Sequence, residues 1–375
     1  MNRSTAFNGT LGILLAGTHP WAVAGFDSLL PRTLLPVAHR PLIWYGLSWL
    51  YDSGIREVAV CGNRETRLLE ERLTRHVPYG LNVTYHQDPM PRGAAGSVRD
   101  AVAAYAGART VIVADGTSIP NVDLRALLKQ HRESGAGVTV VVHPEQQPNG
   151  NAVLHAPCGI YVFERRAFDN VSAHGFCDLK ETLIPQLHAA GERILPFESR
   201  EATPRVLNAP TYLAVNEWMI EQLVAAGDEQ DGYAATDKGL IHRDAIVADD
   251  ATLIGPVIIG PDARLMSRAV VVGPASIGRG AVIETGAFVS RSAVWRRVVI
   301  GDHAVADHSI ITDGAIVEPH SEVVGRVVMA QRPESQSDWR PEPQAVGSPR
   351  PSLQLSARIG RLVFGSGWSR SPAVQ

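Results

Sequence analysis

The stretch "VADDATLIGPVIIGPDARLMSRAVVVGPASIGRGAVIETGAFVSRSAVW", residues 247–295, decides the architecture of the C-terminal part of the chain. Every sixth residue is apolar, so that Val247, Leu253, Ile259, Leu265, Val271, Ile277, Ile283, Val289 and Trp295 hold one slot. The slot slips by one residue after Trp295, resumes at Ile300 and Ala306, and slips again before Ile311, Val317 and Val323. Turn formers fill the rest of each unit, as in "GPDA", "GRGA", "GDHA" and "TDGA". That pattern predicts short strands joined by tight turns, with one apolar side chain per unit pointing inward. A single rung cannot bury its own apolar face, so stacking has to supply the core.

The repeat resembles the hexapeptide-repeat left-handed parallel β-helix, which implies such a domain over residues 241–330. Stacked coils leave a flat side and an open end to be covered, and homo- or hetero-oligomerisation through the β-helix is the expected consequence. On the inward slot, Trp295 reads as a wide-rung core residue or a contact with the preceding domain rather than a ligand stacker. Hexapeptide acyltransferases use a histidine as base, which makes His303 and His308 candidates. No long inserted loop interrupts the coils, however, and "GDHAVADHS" suits turn positions, so structural histidines are expected and acyl transfer is a distant alternative.

Upstream, apolar runs of strand length alternate with helical segments, the pattern of a mainly parallel sheet covered by helices. "LGILLAG", "REVAVCG", "TVIVAD" (Thr110 to Asp115) and "VTVVVH" (Val138 to His143) read as buried strands. "RPLIWYGLSWLYDSG" reads as an apolar helix closed by Gly54, and "NVDLRALLKQHRESG" as one closed by Gly135. Downstream of Ala330, "QRPESQSDWRPEPQAVGSPRPS" has the composition of a disordered linker. The final segment sets Leu353, Leu355, Ile359, Leu362 and Phe364 beside Arg358 and Arg361. It reads as a short basic amphipathic helix that docks on a partner or membrane, or, with more weight, as a tail folding back on its own domain.

Composition narrows the function classes. With 375 residues and 45% hydrophobic content the chain supports more than one core. Lys+Arg 35 against Asp+Glu 38 gives a net charge of -3, no sustained positive field for nucleic acid. Cys61, Cys158 and Cys177 form no CxxC pair and leave an odd thiol, which fits a reducing cytoplasm. The N-terminal apolar run is too short for a spanning helix or a secretory signal and reads as the first strand.

"GILLAG", followed by "LLPVAHRPLIWYGLSWLYDSGIREVAV", "QDPMPRGAAGSVRDA", "CGIYVFERRAF" with "DLKETLIPQL", and "TYLAVNEWM", carries a second resemblance. In this order and spacing the segments resemble the nucleotide-sugar pyrophosphorylases, or sugar-1-phosphate nucleotidyltransferases, which join an NTP to a sugar phosphate. Mannose-1-phosphate guanylyltransferases and glucose-1-phosphate relatives are resembled about equally. The resemblance implies a Rossmann-like, GT-A-like nucleotidyltransferase domain over residues 1–240, ahead of the β-helix at 241–330 and a Pro/Ser-rich tail at 331–375. It also implies a nucleotide pocket built from Leu15, Ala16, Gly17, Gln87, Gly93, Ala94, Ala95 and Gly96, where small residues let backbone groups approach the nucleotide.

The catalytic half of that motif set departs from the family. Against the family's GGxGTRLxP…PKxLLP, Thr18 and Pro20 replace glycines and Ala22 replaces the arginine that receives the expelled pyrophosphate. Arg32 stands where the lysine belongs and keeps a positive charge for a phosphate. The family's Mg2+ is held by two aspartates. Thr117 occupies the first position, with Asp115 two residues, roughly 6–7 Å, earlier on the strand and read as a turn residue. At the second, "TPRVLNAPTYLAVN" offers only Asn208, and "HPEQQPNGNAVLHAP" lacks the lysine of the sugar-phosphate segment. Loss of one such electrostatic group costs about 10²–10³ in rate, and here several are lost together. The expectation is a catalytically weak or silent member that binds a nucleotide or NDP-sugar as a regulatory or scaffolding subunit. The alternative is an active sugar-1-phosphate nucleotidyltransferase, with Arg32 and Asp115 as its charged groups and Mg2+ as cofactor only in that case.

Overall fold

A computed structural model describes residues 7, 9–17, 29–73, 77–88, 92–146, 153–227, 229 and 232–330. Thr18, Pro20 and Ala22 of the opening loop lie outside the described residues, as do the expected linker and amphipathic tail at 331–375. The chain runs through β1 (Thr10–Leu15), a hairpin of β2 (Pro36–Val37) and β3 (Arg40–Pro41), α1 (Leu42–Ser53), β4 (Glu57–Asn63), α2 (Arg67–Leu73) and β5 (Asn82–Asp88). It continues with α3 (Gly93–Ala103), β6 (Thr110–Asp115), α4 (Leu124–Ser134), β7 (Val138–Gln146), β8 (Val153–Glu164), α5 (Ile184–Ala189), β9 (Ile194–Glu198) and α6 (Ala209–Ala226). Short strands follow from there to residue 328.

The described residues pack as two units, β1 with residues 42–204 and residues 29–41 with 205–330. This division differs from one drawn at residue 240, because α6 and the hairpin β2–β3 pack with the β-helix. Among the described residues no helix is long and apolar enough to cross a membrane.

In the first unit the strand order is β5-β4-β1-β6-β8-β7-β9. β1 runs parallel to β4 and β6, β4 parallel to β5, and β8 antiparallel to both β6 and β7. Its apolar strands are buried on both faces. Leu11, Ile13, Val111 and Val113 share one buried cluster with Ala95, Val98 and Val102 of α3, each large side chain contributing about 1.5–3 kcal/mol. The two helices that the sequence predicts end at their closing glycines, α1 before Gly54 and α4 before Gly135. Asp123 caps α4 by accepting the Arg125 and Ala126 N–H groups, and Gly135 closes it at φ 62. From β1 the chain first adds β4 and β5 on one side and then crosses to β6 on the other. The connections therefore diverge at the carboxyl ends of β1 and β6, the place where an open α/β sheet forms a crevice.

The second unit is a parallel β-helix of three strand stacks. Val247, Leu265, Ile283, Ile300 and Val317 form one inward column, and Leu253, Val271, Val289, Ala306 and Val323 another. The third column is Ile259, Ile277, Val294 and Ile311, which takes Trp295 off the inward slot and leaves its other reading, a contact with the region before residue 241. Val272 pairs with Ser290 and Ser276 with Ala293, so the turn at 291–292 is one residue shorter than its predecessor and the slip precedes Trp295. Val294 takes the inward slot, and Trp295 meets α6 instead, donating from Nε1 to Tyr212 Oη at 2.8 Å. Serines stitch the shortened turns: Ser309 N–H donates to Ser292 Oγ (3.0 Å) and Arg326 N–H to Ser309 Oγ (3.1 Å). His303 and His308 sit at corners with φ 54 and 46, as turn residues, and the His303 ring stacks on His320 at 5.4 Å.

Candidate functional site

Register brings the expected pocket residues of the first unit to one edge of the sheet. Leu15 lies beside both Asp115 and Cys61, and Gln87 lies beside Gly62. The end of β1 is stitched to both neighbours, since Ala16 N–H donates to the Cys61 carbonyl (2.7 Å) and Gly116 N–H to the Leu15 carbonyl (2.9 Å). Gly17 is exposed, and a Cβ there would stand 3.6 Å from the Asn63 side chain. Gln87 is exposed, one residue before the end of β5 and ahead of α3. The edge thus presents backbone and small side chains, as a phosphate- or base-binding surface requires.

The four small residues of "GAAG" divide in role. Gly93 opens α3 at φ 78, and a Cβ would come within 2.4 Å of the Cys177 carbonyl oxygen, so only glycine fits. The Cys177 N–H donates to the Arg92 carbonyl (2.8 Å), and its carbonyl accepts the Ala95 N–H (3.0 Å). Ala95 is therefore committed to the core and to Cys177, and Gly96 is buried. Gly93 and Ala94 remain half-buried at the helix start, with Ala94 packed against the core cluster.

A residue that sequence reasoning missed organises this start. The Asp88 carboxylate, 9% exposed, accepts the Arg92 N–H (3.3 Å), Arg92 Nε (3.3 Å) and Ser97 Oγ (2.9 Å). It ties the end of β5 to the first turn of α3. An acidic residue four positions before an arginine was the available signal, overshadowed by Gln87 next to it. Burial, reinforced by the negative charges of Asp88 and Asp100, pushes the Cys61 thiol up to about 12, so it is a packed neutral thiol rather than a nucleophile. Cys158 and Cys177 are also free, and burial pushes both thiols up.

Neither position that the family resemblance gives to a Mg2+-binding aspartate carries one: the first is Thr117 and the second segment offers Asn208. Thr117 donates from both its N–H (2.9 Å) and its hydroxyl (2.7 Å) to Asp115 Oδ1, and Ser118 Oγ donates to the Asp115 carbonyl (2.7 Å). This is an Asx turn closing the strand, with Oδ1 tied to the residue two positions on. Asn208, in the second unit, is the N-cap of α6 and accepts the Thr211 N–H at 3.0 Å. Among the described residues no three His, Cys, Asp or Glu side chains are grouped so as to hold a metal ion. Arg32 lies half-buried in a short helical turn, Arg32–Leu34, of the second unit.

Comparison with known proteins finds similarity in both parts of the chain. Residues 12–157 match the nucleotidyl transferase family and residues 253–339 the GMPPB C-terminal domain family. The chain is 24% identical over 299 residues to a probable mannose-1-phosphate guanylyltransferase 3 of Oryza sativa subsp. japonica, covering 75% of this chain and 80% of the relative. It is 24% identical over 256 residues to a mannose-1-phosphate guanylyltransferase of Mycobacterium tuberculosis, covering 63% and 70%. With a mannose-1-phosphate guanyltransferase of Schizosaccharomyces pombe it shares 24% identity over 372 residues, covering 84% and 99%.

Proposed function

We propose that this chain, which belongs to the sugar-1-phosphate nucleotidyltransferase family, binds a nucleotide or nucleotide sugar without converting it and serves as a regulatory or scaffolding subunit. The observation that carries the proposal is the end of β6, where Thr117 stands at the position the family resemblance gives to an aspartate and Asp115, two residues earlier, has Oδ1 tied to the Thr117 N–H and hydroxyl. Transfer of a nucleotidyl group needs charge neutralised on the α-phosphate and on the departing pyrophosphate. Here one ligand position is a threonine, the other segment offers an asparagine that caps a helix, and the arginine position is Ala22.

Support for the binding half comes from Gly17 and Gln87, exposed at the carboxyl ends of β1 and β5, from the small residues Gly93, Ala94, Ala95 and Gly96 that open α3, and from Asp88, which ties β5 to that helix start; Leu15 and Ala16 complete the set at the end of β1. Arg32 stands where the family resemblance puts a phosphate-binding cation. The names of the relatives direct the choice of ligand to a guanine nucleotide and mannose, so GDP-mannose and GTP head the ligand set. Three free thiols accord with a reducing cytoplasm, and the stacked coils supply a surface for homo- or hetero-oligomers.

Two assays on the full chain test the reading. Incubated with Mg2+, GTP and mannose-1-phosphate, or with other NTP and sugar-phosphate pairs, the protein should release no pyrophosphate above background, and robust turnover of any pair would refute the proposal. GDP-mannose or GTP at millimolar concentration should raise the melting temperature by mass action. Absence of a shift across the nucleotide-sugar set would remove the binding function as well.

A further inference from the structure

Residues 31–41 of the second unit form a strap that is held by two side chains of α6, each of which is held in turn by the β-helix. Tyr212 Oη donates to the Pro36 carbonyl and accepts from Trp295 Nε1 at 2.8 Å. Asn216 Oδ1 accepts the Ala38 N–H at 2.9 Å, while its Nδ2 donates to Ser276 Oγ at 3.3 Å. All four side chains are out of water: Tyr212 is 0%, Asn216 1%, Ser276 4% and Trp295 4% exposed. The tip of the strap is the two-residue loop of the β2–β3 hairpin, with Ala38 and His39 at φ 44 and 71, positive at both as in a type I′ turn and costlier for these side chains than for Asn or Gly. His39 adds a third tie, with Nδ1 2.8 Å from Tyr233 Oη.

We infer that Tyr212 and Asn216 are positioning residues that relay the packing of the β-helix to the strap, and with it to Arg32. In each relay a buried polar side chain serves two partners at once. Loss of the β-helix partner removes one of the bonds that orient that side chain, and the strap bond it carries weakens where water cannot replace it. An event on the β-helix near Ser276 or Trp295 thereby re-sets the conformation of the strap. Its consequence for ligand binding rests on the reading of Arg32 above; the relay itself does not.

Amide hydrogen exchange on the full chain separates the two. The informative variants are Ser276→Ala and Trp295→Phe, which remove a β-helix partner of Asn216 or Tyr212 without altering any of the strap's own bonding groups. Each should speed exchange in residues 31–41 by about tenfold, while Leu11–Leu14 of β1 and the interior columns of the β-helix stay protected. Asn216→Ala should loosen the strap further, and Asn216→Asp, which keeps an acceptor for the Ala38 N–H, should restore much of its protection. Unchanged strap exchange in both Ser276→Ala and Trp295→Phe would overturn the inference. So would equal loss of protection in the strap and the β-helix interior in both, since the strap would then have no linkage of its own. A loosened strap with undiminished GDP-mannose affinity would support the relay and count against Arg32 as the phosphate cation.

Discussion

In the β-helix a residue's role follows from its place in its own coil, whereas at the carboxyl edge of the α/β sheet it follows from residues far along the chain. Val247, Leu265 and Ile283 stack because the chain returns to the same spot after each coil. Leu15, by contrast, meets Asp115, and Ala95 meets the Cys177 carbonyl. A local repeat tolerates drift in sequence as long as the inward slot stays apolar. A site assembled from distant segments loses its chemistry when a few positions change, while the sheet that holds them persists.

The largest effect that sharpens this comparison lies in the β-helix interior. Ile283→Ala, at a fully buried column position, should cost about 2–5 kcal/mol in denaturant unfolding, with loss confined to the second unit's transition. If it cost under about 1 kcal/mol, stacking would not be the source of the core. Gly93→Ala comes next. It places a methyl against the Cys177 carbonyl at φ 78 and should cost about 1–3 kcal/mol while abolishing nucleotide-dependent thermal shifts. Asp88→Asn should weaken nucleotide binding with a loss of about 1–3 kcal/mol in stability, from the ties to Arg92 and Ser97.

A pH titration distinguishes the units further. Burial, with the nearby His242 charge, lowers the pKa of His39 to about 4, and burial lowers that of His131 despite its contact with Glu164. For both, the folded state prefers the neutral ring, so their contribution to stability is complete above about pH 6.5 and is lost as pH falls, through about 4 for His39. Urea midpoints measured between pH 7 and 4 should fall, and His39→Gln should flatten the fall in the second unit alone. The smallest expected effect is at the strand end: Asp115→Asn keeps an acceptor for Thr117 and should cost under about 1 kcal/mol without altering nucleotide affinity.

The sequence made the two architectures readable for different reasons. Apolar runs closed by glycine, as at Gly54 and Gly135, marked helix ends and buried strands, and the six-residue slot marked the coils. Trp295 was misplaced because Val294 and Trp295 are both apolar, and only the hydrogen-bonded register reveals which of the two faces inward. The membership of Arg32's segment in the second unit had no local signal, since the bond from Ala38 to Asn216 spans 178 positions. The turn at Asp115 was readable from the Gly116 that follows it, whereas the Cys177 contact that commits Ala95 to the core was not.

Calorimetric titration of the full chain with GDP-mannose, in EDTA and in Mg2+, tests the account most directly. A pocket with backbone and small residues but no carboxylate pair should bind with the same affinity in both buffers. Binding that appears only with Mg2+, or tightens tenfold in it, would show that the chain still seats the ion and would contradict the account.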